Sequence, residues 1–357
     1  MRVKKLFFRA VPVLALCAGI ATVLVSAATA KPTKSIQVCV LLPDTKSSVR
    51  WVQFDAPDFA KALKAAGVTY SITNALNDPL KQKAQAQACL AAGAKVVVET
   101  ALDNGSAASI EKLFTSKGGK AIDYDRQVTG GSASVYVTFD GKAVGAAQAK
   151  GVIAGMKANG TYSKSSTVAE LWGGQTDQNA FWFKSGNDAV LNPLFSSGAL
   201  TKGPTQFVPD WDANNAATIF NQMLVKTSNN IQGIIAANDN IAGAVVADLK
   251  AKSLKPIPLS GQDATPQGIQ YILAGWQSGT VYKYVPDEAN AAAAAAVALL
   301  KGQAPKTNGF RLNGKVKEAT LALPVVWITK ANYTRLFTDK FLKKSQVCIG
   351  TYAQYCK

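Results

Sequence analysis

Histidine is absent from this chain of 357 residues. Its absence excludes a Ser-His-Asp triad, a Cys-His pair, a HExxH zinc site and any imidazole general base. Cysteine is scarce, at five residues, and no two stand in a CxxC. A redox-active dithiol or a cysteine zinc site therefore has no support. Acidic residues are few, 22 against 39 basic, which gives a formal charge of +17. No long Gly/Ser stretch occurs, which favours short crossings through strand ends over a flexible tether between domains. What is present is globular in composition: 48% apolar and 17% charged residues rule out a disordered chain. The length favours two domains over one.

Residues 1–30 have the three parts of a secretory signal peptide. Arg2, Lys4, Lys5 and Arg9 make a basic start, Ala10 to Val25 is apolar, and Ala28-Thr29-Ala30 is a small-residue exit. The alternatives are an uncleaved anchor, for which the apolar run is short, and a lipoprotein cysteine at Cys17, which Leu16 disfavours. Cleavage after Ala30 leaves 327 residues and removes four basic ones, for a charge of +13. The remaining basic residues are scattered, as in KALKAAG and FLKKSQ, and read as a solvated surface. No nucleic-acid partner is expected of an exported chain. Export permits disulfides. Cys348 and Cys356 flank a short polar segment and suit a local staple. Cys39 and Cys89 suit either a second bridge or two buried thiols.

The mature chain alternates β-branched runs with helical ones. Strands are expected at 36–42, 69–73, 95–100, 120–125, 134–140, 166–172, 231–237, 280–285 and 321–329. Helices are expected at 54–67, 80–93, 141–160, 215–228 and 286–302. This rhythm means βαβ units and parallel sheets. The nearly continuous apolar runs fit strands covered on both faces. Two similar stretches, 35–140 and 141–282, imply an α/β protein of two doubly wound lobes. The alanine-rich 286–302 segment fits close helix packing.

Ligands of open parallel sheets bind beyond the carboxyl ends of strands. Polar side chains collect there: Arg50-Trp51, Asp125-Arg126, Asp140, Asp177 and Asn179, Asn238-Asp239, Asp263 and Lys283. Each taken singly could be a helix cap, but caps need no arginines or tryptophans. Carboxylates, guanidinium and ammonium groups make strong bonds to hydroxyls. Trp51 and Trp211, with polar neighbours, suit stacking against a sugar ring. Trp172 and Trp327 lie in apolar runs and read as core.

The segments TKSSVRW, YDR, TFDGKAVGAAQAK, GGQTDQNAFWF, ANDNIAG, SGQDATPQGIQYILAGWQSGTVYK and LPVVWITKANY occur in this order. In this the chain resembles the xylose- and multiple-sugar-binding proteins of ABC importers, in the type I periplasmic-binding-protein superfamily. The resemblance spans nearly all of the mature chain, and SGQDA with its VYK continuation is its most specific part. It implies two Rossmann-like lobes joined by a three-crossover hinge, with a ligand cleft between them. The first lobe would comprise 35–140 and 284–318, the second 141–283 and 319–347, with a Cys-containing tail at 348–357. Binding roles carry over to Arg50, Trp51, Asp125, Arg126, Asp140, Asn179, Trp211, Asp239, Asp263 and Lys283. The chain departs from the family at Val49, where relatives often have an acid, and in a GGQTDQNA loop one residue shorter.

The function implied is a monomeric, non-enzymatic receptor in the periplasm or at the cell surface. It would capture an aldopyranose of the xylose, glucose or galactose type by hinge closure and deliver it to an ABC permease, with no cofactor. A sugar sensor facing a membrane receptor or kinase differs only in partner. A secreted glycosidase would draw two carboxylates from Asp125, Asp140, Asp239 and Asp263.

Overall fold

The computed structural model describes residues 35–356; the signal-peptide reading of residues 1–30 lies outside them. Five parallel strands open the first lobe: β1 (Val38–Leu42), β2 (Tyr70–Asn74), β3 (Val96–Glu99), β4 (Lys120–Tyr124) and β5 (Val135–Phe139). Helices α1 (Ala56–Ala65), α2 (Pro79–Ala91) and α3 (Asn104–Thr115) connect the first four. Alternation along β1 shows why every residue is apolar. Val38, Val40 and Leu42 join the core shared with Phe59 and Leu63 of α1, while Cys39 and Leu41 join Ala86, Ile110 and Phe114 on the opposite face. A disulfide links Cys39 to Cys89 of α2 on that second face.

The second lobe holds α4 (Gly141–Ala158), β6 (Thr167–Trp172), α5 (Gln178–Ser196), β7 (Thr201–Phe207), α6 (Ala213–Lys226), β8 (Gly233–Ala236), α7 (Asp239–Ala251), α8 (Pro266–Leu273) and β9 (Thr280–Tyr282). Its strands order as β7-β6-β8. Single bridges from Ile234 to Leu259 and from Gln262 to Val281 carry the pairing on to β9. The chain then adds α9 (Val285–Leu300), β10 (Gly309–Asn313), β11 (Val316–Leu323) and β12 (Val326–Ile328). The first sheet reads β10-β11-β5-β4-β3-β1-β2, and β12 pairs with β9 in the second lobe. Ala289, Ala292, Ala293 and Ala296 of α9 are buried in the first lobe's core, where methyl side chains permit close approach.

The chain thus passes between lobes at 139–141, 282–285 and 323–326. Two expectations change here. The single strand expected at 321–329 is broken at Pro324 into β11 and β12, because proline cannot donate to a ladder. The lobe boundary expected at 318/319 moves to Pro324, since β11 pairs with β5 as far as Leu323. A second disulfide joins Cys348 to Cys356, and the ring it closes packs Tyr352 against Tyr271 of α8. No helix among the described residues is long and apolar enough to cross a membrane.

Candidate ligand-binding site

The strand ends of both lobes converge on a pocket with a space of about 280 Å³. Arg50, Trp51, Asp125, Arg126, Asn179, Trp211, Asp263 and Lys283 line it. These are eight of the ten residues singled out in the sequence.

The pocket floor is a charge cluster. Arg50 donates through NH1 to Asp125 Oδ2 (2.7 Å), through Nε and NH2 to Asp55 (2.9 and 2.7 Å), and through NH2 to Glu288 (2.6 Å). Four of its five N–H donors are thus committed to protein carboxylates, so it orients Asp125. Lys283 lies 3.3 Å from both Asp125 and Asp263. Burial opposes ionisation of Asp125, but Lys283, Arg50 and Arg126 outweigh it and hold the pKa at about 2. Burial pushes Glu288 up to about 8 even beside Arg50, because Asp125 and Asp55 compete for the same cation.

Two cations lie over Trp51, with Arg50 4.5 Å and Arg126 5.4 Å from its ring centre. It is 2% exposed and also part of the first lobe's core. Its Nε1 donates to Ser47 Oγ at 3.0 Å, which in turn donates to Asp44 and accepts from Arg126 NH2. Across the pocket, Trp211 meets Phe183 edge-on with centroids 6.2 Å apart. It rests on Gly173, where a Cβ would overlap the indole ring.

Three lining residues hold left-handed backbone: Asp125 (φ 60°), Trp211 (φ 56°) and Asp263 (φ 94°). Such conformations are uncommon for these side chains and gather at sites that need them. At Asp125 the turned carbonyl accepts from Tyr136 OH, Thr138 Oγ1 and Asn179 Nδ2.

Two expected residues stand elsewhere. Asp140 caps α4 by accepting from Lys142 and Ala143 amides, and pairs with Arg311 at 3.4 Å. Asp239 turns away from the pocket. Its carboxylate accepts from the Thr265 amide, Thr265 Oγ1, Gln277 Nε2 and Thr280 Oγ1, and burial raises its pKa to about 7. It fixes the loop that carries Asp263.

Asn238, next to Asp239, and Asp177, next to the Gln178–Asn179 start of α5, line the pocket as well. Asn238 donates to Ser47 O at 2.9 Å, and Asp177 lies 3.0 Å from Arg126 Nε, out of line for a hydrogen bond. Ser47, Ser48, Phe183 and Gln262 complete the lining. Asp177 and Asn238 were within reach of the strand-end signal. The serines follow β1 without any distinguishing pattern.

Residues 38–304 match the family model described as a periplasmic binding protein domain. The chain belongs to the periplasmic binding protein family. This binding protein is 30% identical over 316 residues to the D-xylose-binding periplasmic protein of Escherichia coli (strain K12), covering 88% of this chain and 93% of that one. It is 28% identical to the multiple sugar-binding periplasmic receptor ChvE of Rhizobium radiobacter, covering 83% and 87%. Among solved structures, a carbohydrate transporter solute binding protein from Chloroflexus aurantiacus in complex with D-glucose superposes with a TM-score of 0.79. That pair shares 29% identity and covers 88% of this chain and 98% of that one.

Proposed function

We propose that the pocket holds an aldopyranose of the xylose, glucose or galactose type, and that the binding protein hands it to the permease of an ABC importer without chemical change. One observation carries the reading. Four buried polar atoms of lining residues have no hydrogen-bond partner in the protein: Arg126 Nε, Trp211 Nε1, Gln262 Oε1 and Asp263 Oδ1. Arg126 Nε and Asp263 Oδ1 have only an ion-pair partner, in Asp177 and Lys283, while Trp211 Nε1 and Gln262 Oε1 have none, and leaving a buried group unpaired costs about 1–3 kcal/mol. Two are donors and two acceptors, and a sugar hydroxyl both donates and accepts. The names of the relatives, xylose- and multiple-sugar-binding, support the same class. Against a glycosidase, Asp125 is held ionised by three cations and cannot serve as a general acid.

A thermal-shift panel of pentoses and hexoses tests the reading. A ligand at 100 times its dissociation constant adds about 2.7 kcal/mol, or about 4 °C in melting temperature for a protein of this size. Xylose, glucose or galactose is expected to give that shift. A panel without any shift at millimolar sugar would overturn the proposal.

A further inference from the structure

Beside the pocket lies a second cavity of about 180 Å³ that opens to solvent. Both lobes supply its walls: Val49 and Gln53 before α1, Asn240 on α7, and Pro266 and Gln267 at the start of α8. Ser48 lines both spaces. It is 6% exposed, and its hydroxyl donates to Asp263 Oδ2 at 2.8 Å. A small side chain, which also accepts a long hydrogen bond from the Arg50 amide at 3.4 Å, is therefore a shared wall. Turning its hydroxyl aside breaks these two bonds, one of them long, and frees Asp263 Oδ2 for a ligand.

The two spaces differ in chemistry. The inner one is ringed by charges and indoles. The outer one presents three carboxamides: Gln53 and Gln267 can donate and accept, and Asn240, whose amide group donates to Lys46 O and Trp211 O, offers its oxygen as an acceptor. It also offers apolar surface from Pro266 and from Val49, which is 40% exposed. Asp239 reaches this wall, but its carboxylate is taken up by Thr265, Gln277 and Thr280. Amides with an apolar strip suit hydroxyls and the C–H face of a ring, and suit a charged group poorly.

Resting on the sugar-binding reading above, we propose that the outer chamber receives the second pyranose ring of a disaccharide whose first ring fills the inner pocket. The full-length mature protein is titrated calorimetrically with xylose, glucose and galactose, then with xylobiose, cellobiose and lactose, and finally with each disaccharide in competition with the preferred monosaccharide. At least one disaccharide is expected to bind within about tenfold of the monosaccharide and to compete with it. The Gln53→Ala/Gln267→Ala variant is expected to weaken that disaccharide at least fivefold and to leave the monosaccharide unchanged. Monosaccharide binding with no disaccharide binding at roughly thousandfold higher concentration overturns the inference while sparing the sugar reading. So does a variant that weakens both ligands equally. Failure of every sugar overturns the sugar reading itself and the inference with it.

Discussion

Asp263 and Arg50 both belong to the pocket's charge cluster, yet their bonding makes opposite demands. Asp263 is bound by Ser48 and Lys283 and keeps one oxygen without a hydrogen bond. Arg50 is 1% exposed and spends its donors on Asp55, Asp125 and Glu288. Asp263→Ala is therefore expected to act on affinity. Losing a charge-assisted bond costs about 1.5–3 kcal/mol, roughly tenfold to more than a hundredfold in Kd. Arg50→Ala strands buried carboxylates and is expected to act on stability, by about 3–5 kcal/mol. Titration calorimetry and urea melts on both variants separate the effects. An Asp263→Ala protein with wild-type affinity would remove it from the site. An Arg50→Ala protein as stable as wild type would contradict the network. Trp51 falls between the two: it touches the pocket and is also core, so its loss is felt in both measurements.

Secondary-structure elements were legible where both of their faces are covered. The stretches 38–42 and 96–98 are apolar throughout because α1 and α9 lie on one side of the sheet and α2 and α3 on the other. β7 gave no such signal. TKGPTQF is an edge strand with four exposed residues, and it tolerates Gly203 and Pro204 for that reason. Within the site, strand-end position found Asp125, Asp263 and Lys283 but could not separate Asn238 from Asp239. One residue's rotation at the start of α7 decides which side chain faces the cleft, and local sequence does not encode it.

The elements of the first lobe also bury an acid cluster that nothing in the sequence pattern announced. Glu99 of β3 stands beside Asp123 of β4 in register, with Glu111 of α3 and Glu318 of β11 close by. Both oxygens of Glu99 lack a hydrogen-bond partner. Burial raises the pKa of all four groups, and their mutual repulsion adds to it at Glu99 and Asp123. A carboxyl with a raised folded pKa contributes stability that is complete below its unfolded value, near 4, and is lost as pH rises through the folded value. Asp125 has the opposite sign: its contribution is present above about 3.9 and is lost as pH falls through about 2. The melting temperature is therefore expected to peak in mildly acidic buffer and to fall toward pH 8 and again below pH 4. Glu99→Gln should flatten the alkaline limb and be more stable than wild type at pH 8, by about 1.4 kcal/mol for each pKa unit removed. A melting temperature that climbs between pH 5 and pH 8 would contradict this account.

At the scale of the whole molecule, the lobes meet through a small set of polar bonds around the pocket: three reach the loop 46–48, while Asn179 donates to Asp125 O and Lys283 to Asp125 Oδ2. Ser48 donates to Asp263, Asn238 to Ser47 O, and Asn240 to Lys46 O at 2.9 Å, with Arg126 against Asp177 nearby. A neutral hydrogen bond contributes about 0.5–1.5 kcal/mol net. The two neutral bonds, from Asn238 and Asn240, together with the charged contacts amount to a few kcal/mol, the scale at which a ligand bridging both lobes shifts an open–closed balance. Asn240 isolates this effect, because it bonds Lys46 O and Trp211 O without lining the inner pocket. Asn240→Ala should lower the fraction of binding-competent protein, and apparent affinity falls with that fraction. The expected loss for the preferred monosaccharide is about two- to twelvefold. Scattering should show a larger radius of gyration than wild type without sugar and the same compact radius at saturation. If the variant loses affinity with an unchanged unliganded radius, Asn240 acts on the ligand directly and not through closure.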